Sequence, residues 1–173
     1  MASVKICIIG PESTGKSTLT KELSKHFGFP LVNEISRQYL EDLGRKHSFE
    51  DLESMAIAQA NAEKECTILS KPFFCDTDLL TYKIWAQDKF DKEITFVEQN
   101  YEQNKANLYL LCYPDLEWHP DPLREDEHRL MVIYQFYIDH LEHMDVPYRV
   151  IKGTGDVRLK NATQVVSEFL SSN

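Results

Sequence analysis

Residues 10–17 of the chain read GPESTGKS and match GxxxxGK(S/T), the pattern of a phosphate-binding loop. Glycines in such a loop let backbone N–H groups turn inward around phosphate oxygens, and the N-terminus of the following helix adds partial positive charge. Lys16 is expected to reach the β- and γ-phosphates of ATP, and the Ser17 hydroxyl to bind Mg²⁺. The alternative is a glycine-rich turn without a ligand. The nucleotide contacts predicted within the loop are Gly10, Glu12, Ser13, Thr14, Gly15, Lys16, Ser17 and Thr18.

Two carboxylates follow the apolar run at 72–75. Phosphoryl transfer needs a carboxylate near the metal or the acceptor. Asp76 ends the run and is predicted to act at the metal, in the manner of a Walker B carboxylate. Asp78 lies one step farther out and is predicted to contact the substrate, although it could instead cap the next helix.

Residues 114–124 form a polar, proline-broken segment that looks like a short mobile lid. An arginine closing over the nucleotide would stabilise the γ-phosphoryl group in transit. Arg124 is the first candidate and Arg129 the second, and either could instead be a solvated arginine at the start of a helix. Trp118 is predicted to stack on a flat ring, because a tryptophan in so polar a loop favours stacking over core packing.

Glu34 and Arg37 follow the second predicted strand and open a helix. One turn apart, they share a helix face and can point together into a cleft. They could equally form a surface ion pair of small energetic value. Tyr39, and the more weakly marked Gln59, complete the predicted substrate contacts.

Short apolar runs alternate with longer amphipathic segments, which predicts an α/β fold with a parallel sheet covered by helices. Ligands of such sheets bind at the carboxyl ends of the strands, and the polar clusters described above all follow strands. The five predicted strands are residues 4–9, 30–33, 72–75, 108–112 and 148–151.

Three helices carry sequence signals of their own. Ser48-Phe-Glu-Asp51 has the form of a capping box that opens a helix reaching about Leu69. An acidic first turn at 125–127 is predicted to open a helix whose apolar residues recur at helical spacing up to Met144. A last helix is predicted from about Asp156.

Composition excludes several classes of protein. The length of 173 residues predicts one domain spanning 1–173. The net charge of −9 argues against binding nucleic acid or an anionic membrane. The first apolar run is too short for a signal or membrane segment, so we expect a cytoplasmic protein. Neither the cysteines nor the histidines have metal-site spacing, and no pattern indicates an oligomeric state.

The ordered set of motifs resembles the nicotinamide riboside kinase domain of NadR-type NAD-biosynthesis proteins, which are P-loop NTPases similar to AAA-type ATPases. The resemblance covers nearly the whole chain. Its marks are Glu12 within the loop, Glu34 with Arg37 and Tyr39, Asp76-Thr77-Asp78, and Trp118 with Asp121 and Arg124.

The resemblance implies a three-layer P-loop kinase fold with a short lid. It also implies ATP-dependent phosphorylation of the ribose 5′-hydroxyl of nicotinamide riboside, which gives nicotinamide mononucleotide. Trp118 would then stack near the positively charged nicotinamide ring. Asp76 or Asp78 would orient the ribose hydroxyls or act as the base, a role the residue types leave open to Glu34 as well. Gly153, in the loop 153–156, would lie near adenine.

Two departures from the resembled family give further expectations. NadR-type proteins usually carry an adenylyltransferase domain before the kinase, whereas this chain begins at the first strand of the kinase, so we expect neither adenylyltransferase nor repressor activity. Pro122 follows Asp121 where glycine is expected, and its fixed φ is expected to restrict lid closure.

Two other functions compete with the leading hypothesis. One is a kinase for another nucleoside or small alcohol. The other is a regulatory P-loop NTPase, which the sequence disfavours because it has neither an hhhhDxxG switch segment nor an NKxD base-reading motif.

Overall fold

Five short strands form one parallel sheet in the computed structural model, which describes residues 3–172. The strand order is β2-β3-β1-β4-β5, and every neighbouring pair is parallel. Apolar side chains fill β1, β3 and β4, as expected of strands buried on both faces. The strands are β1 (Lys5–Ile9), β2 (Leu31–Val32), β3 (Phe73–Asp76), β4 (Leu108–Cys112) and β5 (Tyr148–Ile151).

Helices cover both faces of the sheet and make it the middle of three layers. Alternate residues of β1 separate the two cores: Cys7 and Ile9 pack towards α2–α6, whereas Ile6 and Ile8 pack towards α1 and α7. The helices of the described residues are α1 (Lys16–Phe27), α2 (Ile35–Leu43), α3 (Phe49–Thr67), α4 (Leu79–Phe90), α5 (Thr95–Asn104), α6 (Leu130–Glu142) and α7 (Gly155–Ser171).

The predicted fold class is confirmed, and all five predicted strands are present within a residue or two of their predicted bounds. The capping box is also present: the Ser48 side chain accepts the Asp51 N–H, and the Asp51 side chain accepts the Ser48 N–H. None of the described helices is long and apolar enough to cross a membrane.

The prediction that a helix opens at 125–127 is wrong, because α6 begins only at Leu130. The N–H groups of Glu125 and Asp126 bind the carboxylate of Glu12. This contact keeps the chain in turns as far as Arg129. The acidic residues therefore belong to the connection from the lid.

The strand order places the functional loops together. β1 lies at the centre of the sheet, between β3 and β4. The phosphate loop follows β1, Asp76 ends β3, and the lid follows β4, so all three meet at the carboxyl edge of the sheet.

Candidate active site

The phosphate loop has backbone conformations that require its two glycines. Gly10 has φ +139°, and a Cβ placed on it would lie 2.8 Å from the carbonyl oxygen of Cys112. Gly15 has φ +74°, and its Cβ would lie 2.9 Å from a methyl carbon of Leu116. Any other residue at either position would strain the backbone and collide with the end of β4 or the start of the lid.

The Pro11 carbonyl of the loop is held by two of the loop's own side chains. The Thr14 hydroxyl and the Lys16 ammonium each donate to the Pro11 carbonyl, both at 2.8 Å. The loop leads directly into α1, whose N-terminus carries partial positive charge. This arrangement of glycines, lysine and helix N-terminus suits a polyphosphate.

Asp76 lies where a Walker B carboxylate is expected. It is only 3 % exposed, and the Ser17 side chain lies beside it. Burial, together with the nearby charge of Glu34, raises the pKa of Asp76 to about 6, although the Lys16 ammonium acts in the opposite direction. Its buried Oδ1 atom has no hydrogen-bond partner among the described residues.

These residues fit Mg²⁺. A buried carboxylate oxygen without a partner, next to a serine hydroxyl, is the oxygen donor set that Mg²⁺ takes in phosphoryl-transfer sites. Within residues 3–172, no group of three or more His, Cys, Asp or Glu side chains could hold a metal. Ser17 and Asp76 would therefore share the ion with phosphate oxygens and water.

Glu34 is the second carboxylate of the site. It occupies the N-cap position of α2, and its Oε1 atom accepts the Ser36 hydroxyl at 2.6 Å. The side chain is half-buried, and its charge raises the pKa of Asp76.

A cleft of about 820 Å³ contains both carboxylates and the phosphate loop. Its walls come from α1, α2, α4, α6 and the lid. The predicted residues that line it are Gly10, Glu12, Ser13, Thr14, Gly15, Lys16, Ser17, Thr18, Glu34, Arg37, Tyr39, Asp76 and Arg124.

A second hollow of about 700 Å³, the outer compartment, adjoins the cleft. Trp85 of α4 stands between them, half-buried and lining both. The outer compartment extends to the loop after α2 and to Lys89 of α4. The two spaces share the side chains of Glu12, Arg37, Leu40, Trp85, Leu123 and Asp126.

The lid lies against the phosphate loop and α2. Arg124 lines the cleft and donates to the His119 carbonyl at 2.5 Å, with the Ser13 hydroxyl at 3.5 Å. Arg37 reaches from α2 to the Asp121 carboxylate at 2.7 Å. Arg37 therefore pairs with the lid, and with Glu41 of its own helix, rather than with Glu34.

Pro122 fits the lid's turn. The Asp121 carbonyl accepts the Arg124 N–H at 3.0 Å, and the Asp121 side chain accepts the Leu123 N–H at 2.9 Å. Pro122 is the second residue of this turn, a position that favours proline. With proline there, the lid still reaches Ser13 and Arg37.

Glu12 was predicted to contact the nucleotide, and the structure gives its carboxylate a different partner. Its Oε2 atom accepts the N–H groups of Glu125 and Asp126 at 2.9 and 3.3 Å. Burial raises the pKa of Glu12, and these hydrogen bonds offset only part of that rise. Glu12 thus fastens the turn after the lid to the phosphate loop.

The structure contradicts the predicted contact of Asp78 with the substrate. Asp78 is 1 % exposed, caps α4 through the Leu80 N–H at 3.0 Å, and accepts the Tyr109 hydroxyl at 2.8 Å. The Lys5 ammonium lies 3.3 Å from the same carboxylate. The side chain is turned away from the cleft, so the capping alternative is the right one.

The structure also contradicts the predicted contact of Gln59 with the substrate. Gln59 is fully buried, so the predicted contact with substrate is not available. Its Oε1 atom accepts the Ile35 N–H at 3.1 Å, and its Nε2 atom donates to the Thr77 carbonyl at 3.3 Å. Ile35 follows Glu34 and Thr77 follows Asp76, so Gln59 links the two segments that carry the carboxylates.

Arg129 and Trp118 are also placed outside the cleft. Arg129 pairs with Asp88 at 2.5 Å and with Asp126 at 3.1 Å, so its guanidinium does not serve as the second nucleotide arginine. The Trp118 ring packs against Arg124, 5.9 Å from its guanidinium carbon, and lines neither space. The structure therefore contradicts the predicted stacking of Trp118 on the acceptor.

Gly153 has φ +98° and donates its N–H to Asp115 at 2.7 Å. Its loop follows β5, beside the connection after β4 that leads into the lid. Its predicted position near adenine stays a prediction.

Sequence reasoning missed the contribution of α4. Thr81 and Trp85 are four residues apart on α4, and both line the cleft. That spacing places them on one helix face, which was the available signal. Tyr137 of α6 also reaches the cleft and shares a 3.0 Å hydrogen bond with Thr81.

The strand order, the phosphate loop and the lid together define the P-loop fold that was predicted from the sequence. A family model described as AAA domain, AAA_28, matches residues 5–158. The chain belongs to this AAA domain family.

Curated relatives agree with the predicted resemblance. The trifunctional NAD biosynthesis/regulator proteins NadR of Salmonella typhimurium and Escherichia coli are both 27% identical to the chain over 124 residues, or 69% of this chain. The match spans 30% of each relative, so the chain is similar to under a third of their length.

Solved structures share the fold over 98% of the chain. A NadR protein in complex with NR has a TM-score of 0.86 at 21% identity, with 52% of that chain covered. A NadR protein in complex with NAD and AMP-PNP has a TM-score of 0.80 at 20% identity, with 50% covered. The thymidylate kinase of Ehrlichia chaffeensis has 0.68 at 14% identity, with all of it covered. The predicted resemblance to the NadR type is confirmed.

Proposed function

We propose that the protein is an ATP-dependent kinase that phosphorylates the ribose 5′-hydroxyl of nicotinamide riboside to give nicotinamide mononucleotide. One observation carries this proposal: the phosphate loop and the carboxylates Glu34 and Asp76 line a single cleft, and the outer compartment, which Trp85 also lines, adjoins it. A triphosphate and an alcohol acceptor can therefore be held side by side.

The loop and lid supply the nucleotide side of the site. Backbone N–H groups, the N-terminus of α1 and the Lys16 ammonium would hold the phosphates. Arg124 lines the cleft from the lid, where its charge would stabilise the transferred phosphoryl group. The AMP-PNP bound to a NadR protein of the same fold supports a nucleotide at this loop.

Ser17 and Asp76 would hold Mg²⁺. When bound, the ion supplies charge neutralisation between the β- and γ-phosphates. The raised pKa of Asp76 is the cost of a desolvated carboxylate, and a cation beside it would offset that cost.

Glu34 is the best candidate for the base. The residue types alone left three carboxylates for this role, but Asp78 is buried as a helix cap. Asp76 lies beside Ser17, and its unpartnered Oδ1 atom suits the metal. Glu34 lines the cleft from the start of α2, where it can accept the proton that the ribose hydroxyl loses on attack.

The outer compartment suits the base of the acceptor. Trp85 offers an aromatic surface between the two spaces, and a positively charged nicotinamide ring would gain from such a contact. Arg37 and Tyr39 line the same side of the cleft as Glu34. The NR bound to a NadR protein of the same fold supports this choice of acceptor.

A kinase for another nucleoside is the second candidate. The observation in its favour is the fold shared with a thymidylate kinase and with a deoxyadenosine kinase of M. mycoides, the latter at a TM-score of 0.62. A regulatory NTPase has less support, because it needs no acceptor space beside its phosphate loop.

A competition among acceptors tests the proposal. Purified protein is incubated with Mg-ATP and, separately, with nicotinamide riboside, thymidine or deoxyadenosine, and kcat/KM is measured for each. We expect nicotinamide riboside to have the highest value, and Asp76→Ala to abolish turnover with it. A higher kcat/KM for either other nucleoside would overturn the acceptor assignment while leaving the kinase class intact.

A further inference from the structure

Arg158 is a buried cation that the function proposed above does not use. It lies in the first turns of α7, is 4 % exposed, and has its guanidinium turned towards the phosphate loop. A buried guanidinium is retained only where its donors and charge are matched. Its partners therefore indicate what it does.

The guanidinium bonds to all three loops on the nucleotide side. Nη1 donates to the Thr14 carbonyl of the phosphate loop at 2.5 Å. Nη2 donates to the Tyr113 carbonyl, after β4, at 2.9 Å, and also to the Asp115 carboxylate. Nε donates to the Gly153 carbonyl, after β5, at 2.6 Å.

Asp115 completes this contact and balances its charge. One carboxylate oxygen accepts from Arg158, and the other accepts the Gly153 N–H at 2.7 Å. The pair joins the loops after β4 and β5 to the phosphate loop. Among the described residues, the hydrogen bonds of Arg158 do not reach the loops after β2 and β3, which carry Glu34 and Asp76.

The bond to Thr14 fixes the direction of the next N–H group. The peptide that joins Thr14 to Gly15 is trans, and the C=O and N–H of a trans peptide point in opposite directions. When Arg158 holds the Thr14 carbonyl on the outside of the loop, the Gly15 N–H is directed to the inside, where the phosphates bind.

We propose that Arg158 is a positioning residue for the nucleotide: it aims the Gly15 N–H at the phosphates and holds the loop of Gly153 beside them. The proposal rests on the function proposed above, in that the loop takes a nucleoside triphosphate. It further predicts that loss of Arg158 weakens nucleotide binding and leaves acceptor binding unchanged.

Binding of AMP-PNP with Mg²⁺, measured by calorimetry on the full chain, tests the proposal. The variants are Arg158→Met, which removes the donors, and Arg158→Lys, which keeps the charge but cannot reach four acceptors. Arg149→Met is the matched control, because Arg149 is exposed and donates to the Tyr148 carbonyl. We expect the dissociation constant to rise about tenfold for Arg158→Lys and more for Arg158→Met, with no change in the control.

The kinetic constants separate positioning from a general loss of structure. In Arg158→Lys we expect the KM for ATP to rise while the KM for nicotinamide riboside stays at its wild-type value. Since Arg158→Met leaves buried carbonyls without donors and can fail to fold, Arg158→Lys alone is sufficient to decide.

Each outcome has a definite meaning. Wild-type affinity for AMP-PNP in Arg158→Lys, or an equal rise in both KM values, would overturn the role of Arg158. Failure of the wild-type protein to bind AMP-PNP would overturn the proposed kinase function and this inference together. Binding of AMP-PNP without phosphorylation of nicotinamide riboside would overturn only the acceptor, because calorimetry does not depend on it.

Discussion

The Ser17 side chain lies beside the Asp76 carboxylate, where the first turn of α1 meets the end of β3. The carboxylate is buried, and its Oδ1 atom has no partner among the described residues. A structural aspartate would be satisfied by the protein. This one is left with a free coordinating oxygen beside a hydroxyl, as a Mg²⁺ site requires.

Asp76 is therefore predicted to destabilise the ligand-free protein at neutral pH. Its folded pKa is raised from 3.8 to about 6, so folding favours the protonated form, and the stability it contributes is lost as the pH rises through that range. Above pH 7, Asp76→Asn should raise the free energy of unfolding by on the order of 3 kcal/mol. Denaturant unfolding of both proteins measures this.

The difference should vanish below about pH 3, where Asp76 is largely protonated in both the folded and the unfolded chain. Asp76→Asn should also be inactive. A variant that is less stable than the wild type at both pH values would contradict the unpaired state assigned to this carboxylate.

Glu34→Gln is predicted to lower kcat by between about a hundredfold and ten-thousandfold, the range for removal of a general base. The KM for ATP should stay the same, because Glu34 lies on the acceptor side of the cleft. Steady-state kinetics with nicotinamide riboside measures both constants, and the exposed Glu22→Gln of α1 serves as the control. A kcat within a few-fold of wild type would reassign the base to Asp76.

Trp85→Ala is predicted to raise the KM for nicotinamide riboside about fivefold, which corresponds to roughly 1 kcal/mol of lost aromatic contact. The matched variant Trp118→Ala should leave that KM unchanged, because Trp118 packs on Arg124 outside the cleft. Initial-rate measurements over a range of acceptor concentrations compare the two. The reverse order of effects would restore Trp118 as the stacking residue.

Gln59→Leu is predicted to reduce both stability and kcat. The Ile35 N–H and the Thr77 carbonyl would lose their partner, at a cost of about 1–3 kcal/mol for each buried group. The segments of Glu34 and Asp76 would also lose their link. Gln135→Leu is the control, because Gln135 is exposed and bonds only along α6 to Asp139. If Gln59→Leu lowered stability but left kcat unchanged, Gln59 would have no role in positioning.

Much of the fold could be predicted because its signals are local. The phosphate loop has its own pattern, the apolar runs mark the strands, and the capping box at Ser48 marks the start of α3. Five short strands separated by helical segments leave few arrangements other than a parallel sheet.

The direction of individual polar side chains could not be predicted, since distant residues decide it. Asp78 follows β3 as Asp76 does, but Thr77 between them has φ +77°, and Asp78 turns back towards Lys5 and Tyr109. Gln59 is drawn inward by backbone groups of two other segments. Contacts between residues that are distant in the sequence produce no periodic pattern from which they could be predicted.

The remaining differences between the predicted and the observed structure lie in one turn and on one helix face. The acidic residues at 125–127 resemble the first turn of a helix, but the contact of Glu12 with their N–H groups holds them outside α6. The sequence around Trp85 has an ordinary helical pattern, in which an aromatic residue is usually a core residue. Its exposure to the cleft depends on how α4 packs, which the sequence does not state.

The central claim is that the phosphate loop transfers a phosphoryl group from ATP to nicotinamide riboside. Mass spectrometry of a reaction with Mg-ATP and nicotinamide riboside tests it most directly. We predict nicotinamide mononucleotide in amounts matching the ADP formed, and a rate lower by on the order of a thousandfold in Lys16→Ala. ADP without nicotinamide mononucleotide, or undiminished product from Lys16→Ala, would contradict the account.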